Sequence, residues 1–445
     1  MHVTFLGHAQ LLVKAAGKTL LIDPWFAEPV FAGAWWRYPP PPYPTPESLP
    51  AQPDFLVLSH AHPDHSGPGT LALLDPALPT LAPRFPEDPL PRRLERTGFR
   101  DVRWMEGWNT QELAPGLKVT YVPHDRGWKV ASIVIEADGV RLYHGNDNPL
   151  TLAGYQELAR RLGTMDLAFL PFAGASSYPT CFTWDSQETL LARARQKKQE
   201  GVKRLTDGIE GLAPRRAIPF ASSWALFEEE QLWKNYVDRP TPAEAIEAAR
   251  ATASAHGTEL LHLHPGDEWS PETGAVARGL TARWGHDADS IARYARTQRQ
   301  RVEQAVAARH RGDRFDADTA RLDKAVRLYL GRLVEQSAEL TRELAMVAGF
   351  EAEGPGGGAW HVVFQPGQRP RVEQGRAANA DETLTLEAHE LWSIATTPAS
   401  WEDGWYGYRL RVRKGEGAGY YRPFWEMLLG VYDEDISAWV REQLA

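Results

Sequence analysis

Cysteine is nearly absent, with Cys181 the only one in 445 residues. A single thiol can form no intramolecular disulfide and cannot supply the thiolates that hold an iron–sulfur cluster, so both devices are excluded within these residues. Apolar runs are short as well, and none approaches the ~20 residues that a membrane span requires. Nor is there a basic excess: 49 Lys and Arg stand against 58 Asp and Glu, a formal net charge of −9, with the two signs interspersed. Without a basic footprint, nucleic acid is not an expected partner. The opening Met1-His2-Val3-Thr4-Phe5 leads into a strand pattern without a basic n-region or a cleavage site, so a cytoplasmic location is expected. What is present is a globular composition, 43% hydrophobic, at a length that suggests two or three domains.

The most concentrated chemistry lies in Ser59-His60-Ala61-His62-Pro63-Asp64-His65, directly after the apolar run Asp54-Phe55-Leu56-Val57-Leu58. Imidazole nitrogen and carboxylate oxygen suit zinc, iron or manganese. His60 and His62 alternate and can reach one ion, while Asp64 and His65 turn toward a second. Solvated loop histidines are the plain alternative, but a strand that ends in this spacing is the context a metal loop requires.

His-x-His-x-Asp-His resembles the signature of the metallo-β-lactamase superfamily. The resemblance implies further ligands at scattered strand ends. His124 follows Val119-Thr120-Tyr121-Val122-Pro123 and matches the third histidine of the first ion. Asp147, in His144-Gly145-Asn146-Asp147, matches the bridging carboxylate, with His144 as its rival because the family's Gly-Asp is here Gly-Asn-Asp. His264, in His262-Leu263-His264-Pro265-Gly266-Asp267, matches the last ligand of the second ion. His262, two residues earlier on the same strand face, is a rival or a supporting partner. The implied sets are His60, His62 and His124 for one ion, and Asp64, His65 and His264 for the other. More narrowly, Phe5-Leu6-Gly7-His8-Ala9 with Asp23-Pro24-Trp25 resembles the lactonase and phospholipase-D-like branch. Asp23-Pro24-Trp25-Phe26 through Trp35-Trp36 and Pro39-Pro40-Pro41, then Phe172–Pro179 and Pro214–Ser222, resemble the catalytic domain of CMP-N-acetylneuraminate hydroxylases. Those hydroxylases also carry a Rieske domain, for which this sequence shows no cysteine set.

The periodicity predicts an opening β-hairpin, His2–Val13 and Lys18–Asp23 with Gly17 at the turn. Residues 28–50 are too rich in proline for a helix or inner strand and read as a long loop. Helical patterns cover Thr151–Leu162 and Ser186–Gly211, and Thr241-Pro242-Ala243-Glu244 reads as a capping box opening a helix through His256. Interleaved β and α segments favour an α/β layered fold, which the resemblance makes a metallo-β-lactamase αββα sandwich with a C-terminal α+β domain. The expected divisions are a catalytic domain over 1–284, a helical connector over 285–350 and a C-terminal domain over 351–445 that loosely resembles sterol-carrier-like domains. In the last, Trp360–Gln365, Arg371–Gly375 and Glu382–Leu386 read as strands and Ala388–Thr396 as a helix.

Two chemistries compete for this ligand set. Zinc, iron or manganese acting as a Lewis acid would activate water against a lactone, amide or phosphoester, with Asp64 handling the proton. Two iron ions would instead bind dioxygen and hydroxylate a small molecule, with electrons from a separate reductase or ferredoxin. The hydroxylase-like segments favour the iron oxygenase, and a metal-free binding protein is disfavoured because every ligand type is present. Trp35, Trp36, Arg37, Tyr38, Tyr178 and Trp224 are the candidates to contact a partly apolar or anionic substrate, with ordinary aromatic packing the competing reading.

Overall fold

The computed structural model describes all residues of the chain except Glu87, 310–314 and 431–433. It contains two compact units. The first comprises Met1–Val30, Trp35–Gly174 and Arg193–Arg299, and the second Phe31–Ala34, Ala175–Ala192 and Gln300–Ala445.

Period-2 alternation builds the first unit. Leu11, Val13, Leu20, Ile22 and Val57 point to one face of their sheet, and Leu12, Leu21, Leu56 and Leu58 to the other. Likewise Tyr121, Ile133, Ile135 and Phe169 share one face of a second sheet, with Val122, Val134 and Leu170 opposite. The first-named sets meet in one core between the sheets. The opposite faces cannot stay in water. Helix Leu90–Arg96 covers one through Leu90 and Leu94, and helices Leu152–Leu162 and Pro242–Ala255 cover the other through Tyr155, Leu158, Ala245 and Ala249. The result is the expected αββα sandwich. One sheet has eight strands, with His2–Gly7, Gln10–Ala15 and Lys18–Ile22 antiparallel and Phe55–Val57, Thr80–Pro83 and Val102–Met105 continuing in parallel. The other has seven, centred on Ala131–Ala137, Val140–His144 and Leu167–Pro171.

The structure departs from the sequence pattern at three places. The expected opening hairpin is three strands, because Gly7 (φ 121°) and His8 (φ 52°) turn the chain between Phe5 and Gln10. The proline-rich loop holds a short strand, Trp35–Arg37, paired antiparallel with Trp224–Leu226, so aromatic pairing prevails locally over proline content. The helical pattern after residue 285 yields helices Ala288–Thr297, Arg299–Ala308 and Thr319–Gln336 but gives way to a strand at Met346; residues 310–314 of that stretch lie outside the described residues. The capping box at Thr241 is present, with Glu244 N donating to Thr241 Oγ1 and Thr241 N to Glu244 Oε2.

The second unit is a five-stranded sheet in the order Arg371–Gln374, Gly358–Phe364, Met346–Glu353, Glu382–Glu387 and Arg411–Lys414. Helices Thr319–Gln336 and Ala388–Thr396 bury apolar residues such as Leu322, Val326, Leu330 and Leu391 in its core. Among the described residues no helix is long and apolar enough to cross a membrane.

Candidate metal centre

Among the non-glycine residues of the first unit in the left-handed backbone region are His8 (φ 52°), Asp23 (φ 43°) and Asn146 (φ 38°), each at a turn. Such conformations cost energy and gather at functional sites. Here they precede or hold groups that converge. Pairing of Ile22 with Val57 places Asp23 beside Ser59, where Asp23 accepts from Ser59 N (2.8 Å) and Ser59 Oγ (2.5 Å). Because the Ser59 hydroxyl spends its proton on Asp23, it accepts from His60 Nδ1 at 2.9 Å. His65 Nδ1 also donates to Asp23, at 3.0 Å. One buried carboxylate therefore sets the tautomers of both His60 and His65 and leaves both Nε2 atoms pointing inward.

Those two nitrogens and Asp64 Oδ1 are buried and have no hydrogen-bond partner. Buried polar atoms are ordinarily satisfied, so three unsatisfied donor atoms together fit a cation. His60, His65 and Asp147 offer ligand atoms all within 4.8 Å of one another, and His8, Asp64 and His65 form a second such group that shares His65. His65 Nε2 lies 3.6 Å from Asp64 Oδ2 and 3.4 Å from Asp147 Oδ2. His8 Nε2 donates to Asp64 Oδ2 at 2.9 Å. Asp147 reaches the group because Gly145 lets its loop pass close to the next strand: a Cβ on Gly145 would lie 2.6 Å from the Phe169 carbonyl oxygen.

The electrostatics follow from this crowding. Burial opposes a charge on His65, but Asp64, Asp23 and Asp147 overcome it and hold its pKa well above the usual imidazole range. Burial would raise Asp64, yet His65 and the His8 hydrogen bond pull it down to about 2. His60 is pushed well down by burial and by its histidine neighbours, which keeps it neutral and able to ligate. The metal-free protein is therefore expected to lose stability as pH falls from the ordinary aspartate value of 3.8 toward about 2, since a depressed carboxylate stabilises only while ionised. The His65 contribution has the opposite sense: complete below 6.5, lost as pH rises through its elevated value. Thermal melts of chelator-treated protein across this range, with Asp64→Asn as control, check this; a wild-type melting temperature that falls no more steeply than the variant's would contradict it.

The other residues singled out from sequence are distributed as follows. The His62 ring lies 4.5 Å from that of His60, and the residue stands at the N-cap position of the short helix Pro63–Ser66. His124 stacks on Trp128 at 4.4 Å, and its Nδ1 accepts from Arg126 N. His144, the rival of Asp147, gives its Nε2 to the Ala9 carbonyl at 2.8 Å. His264 is gathered with His262 and His286, again within 4.8 Å. Burial, then neighbouring histidine charge, lowers His262 to about 4 and His286 to about 3. Trp35, Trp36, Arg37 and Trp224 are buried, at 3%, 2%, 8% and 3% exposure. Trp35 stacks on Trp224 at 3.7 Å and 4°, and Arg37 donates to the Phe26 and Pro44 carbonyls and to Glu28. Tyr178 belongs to the second unit, half-buried against Phe182 at 5.1 Å. The sequence alone assigns no ligand role to His8, Asp23 or His286.

A profile of the Beta-lactamase superfamily domain matches residues 18–201. The chain is 30% identical over 194 residues to a UPF0173 metal-dependent hydrolase of Methanoculleus marisnigri, covering 43% of this chain and 75% of that protein. It is 32% identical over 204 residues to a protein of the same description from Nitratidesulfovibrio vulgaris, covering 43% and 73%. It is 37% identical over 248 residues to the cytidine monophosphate-N-acetylneuraminic acid hydroxylase of Pan troglodytes, covering 50% of this chain but only 38% of the hydroxylase.

Proposed function

The chain belongs to the metallo-β-lactamase superfamily, and from that premise we propose that it is a metal-dependent hydrolase centred on His60, Asp64, His65 and Asp147, with His62 and His124 as flanking donors. The observation that carries the reading is the convergence of the inward, buried atoms His60 Nε2, His65 Nε2 and Asp64 Oδ1 beside Asp147. A divalent ion held there would acidify water toward neutral pH and polarise the bond to be cleaved. The protein's part is to keep the donors ready. Asp23 and Ser59 fix both imidazoles, and His8 anchors one oxygen of Asp64 while the other is left for the ion. Support for hydrolysis comes from the relatives called metal-dependent hydrolases, which the chain matches over about three quarters of their length. The Trp35-Trp36 segment, which on sequence favoured the oxygenase, is accounted for by packing against Trp224 and Phe227.

A second reading, an iron-dependent hydroxylase fed electrons by a separate protein, has its own observation. His60, His65 and Asp147 make a two-histidine, one-carboxylate group, a set that suits non-haem iron, and the hydroxylase relative is the more similar over the shared segment. Chelator-stripped protein reloaded with zinc, manganese or iron and offered lactones, amides and phosphoesters separates the two. The hydrolase reading expects one of these classes to be cleaved at the same rate with and without dioxygen. Turnover seen only with iron, a reductant and dioxygen would replace it with the second.

A further inference from the structure

His262 and His264 follow the short strand Glu259–Leu260, two residues apart, with ring centroids 4.3 Å from each other. The third member, His286, arrives from the segment before helix Ala288–Thr297, and its ring lies 6.4 Å from His262 and 6.5 Å from His264. We propose that His262, His264 and His286 form a second metal site, distinct from the centre on His60 and His65, that takes zinc or a similar borderline divalent ion through three neutral imidazoles. The proposal goes beyond the hydrolase reading and does not need it.

The site is held in place from several sides. Tyr236 Oη meets His286 Nδ1 at 2.5 Å, which leaves Nε2 as the ligand atom. Tyr38 Oη donates to the Gly285 carbonyl at 2.8 Å and pins the backbone next to that histidine. Tyr236 is itself covered by the Arg239 guanidinium, 4.3 Å from the ring centroid. On the other arm His264 N donates to Asp267 Oδ2 at 2.9 Å, fixing the loop that presents the pair, while His264 Nδ1 is buried without a partner. Zinc–nitrogen bonds of about 2.1 Å in a tetrahedron bring ligand nitrogens to about 3.4 Å. The three ligand atoms already lie within 4.8 Å, so modest side-chain rotation completes the set. All three residues are half-buried, which leaves a fourth position accessible to water or to a ligand. A phenol on the outer nitrogen of a ligating imidazole is the sort of supporting contact that orients such ligands. Three nitrogens with an open fourth position characterise zinc sites that bind an exchangeable molecule. The ion would also tie the loop after Leu260 to the helix beginning at Ala288.

Cobalt(II) tests this, because a tetrahedral cobalt site absorbs visibly and is counted without any substrate. The full chain is stripped with chelator and titrated, bound metal being measured by mass spectrometry alongside the spectrum. His65→Ala should keep one cobalt with tetrahedral bands. His286→Ala should lose one equivalent relative to wild type, and Tyr236→Phe should bind that equivalent about 10- to 100-fold more weakly. The Tyr236→Phe comparison serves if His286→Ala does not fold. A His65→Ala protein that binds no cobalt would show one shared centre and overturn the proposal. Unchanged stoichiometry and affinity in both His286→Ala and Tyr236→Phe would overturn it too. Failure of the hydrolase reading would leave these metal counts unaltered.

Discussion

His65→Ala is expected to empty the main centre of metal and to lower turnover by about 10³-fold or more, on the order of 4 kcal/mol of transition-state stabilisation. His65 is the residue shared by the two ligand groups, and its ring packs 4.1 Å from that of His60. Losing it removes a donor and also the buried positive charge that faces Asp23, Asp64 and Asp147. The metal-free variant should therefore be less stable than metal-free wild type near neutral pH, because breaking a buried ion pair leaves uncompensated charge and costs roughly 3–5 kcal/mol. Bound metal by mass spectrometry, turnover on whichever substrate class the wild type cleaves, and urea midpoints of stripped proteins measure the three effects. A variant that keeps its full metal complement and turnover would remove His65 from the site.

The metal loop was legible because its donors are contiguous and a strand, Phe55–Val57, leads into them. The sandwich was legible for a similar reason, since alternations such as Leu20-Leu21-Ile22 are local. What escaped depends on distant pairing. Asp23 becomes the common partner of Ser59 and His65 only once Ile22 lies beside Val57. His8 reaches Asp64 only because the chain turns at Gly7, a break that reading His2–Val13 as one strand passes over. His286 lay in a stretch whose charged, helical character gave no hint of the loop at 262–264. Asp147 and His144 could not be separated by spacing, yet the hydrogen bond from His144 to Ala9 separates them in space.

Composition also could not tell a substrate wall from a packed stack, and Trp35 is where that difference is measurable. Its indole lies parallel to Trp224 at 3.7 Å, its edge faces the His8 ring at 6.4 Å, and Arg239 covers the far side of Trp224 at 3.7 Å. With 3% of its surface exposed, Trp35 has little area left for a substrate. Trp35→Ala is therefore expected to cost roughly 3–5 kcal/mol of stability, as large aromatic truncations in cores do, and to loosen the strand pair Trp35–Arg37 with Trp224–Leu226. Trp35→Phe keeps a stacked ring and should recover most of that loss, with KM within about twofold of wild type, since a residue that does not touch substrate contributes no binding energy to lose. Urea unfolding of both variants and steady-state kinetics of Trp35→Phe decide the matter. If Trp35→Phe instead raised KM tenfold at unchanged stability, the indole would be a substrate contact and the packing account of this loop would fail, restoring the Trp35-Trp36 segment as an argument for the hydroxylase reading.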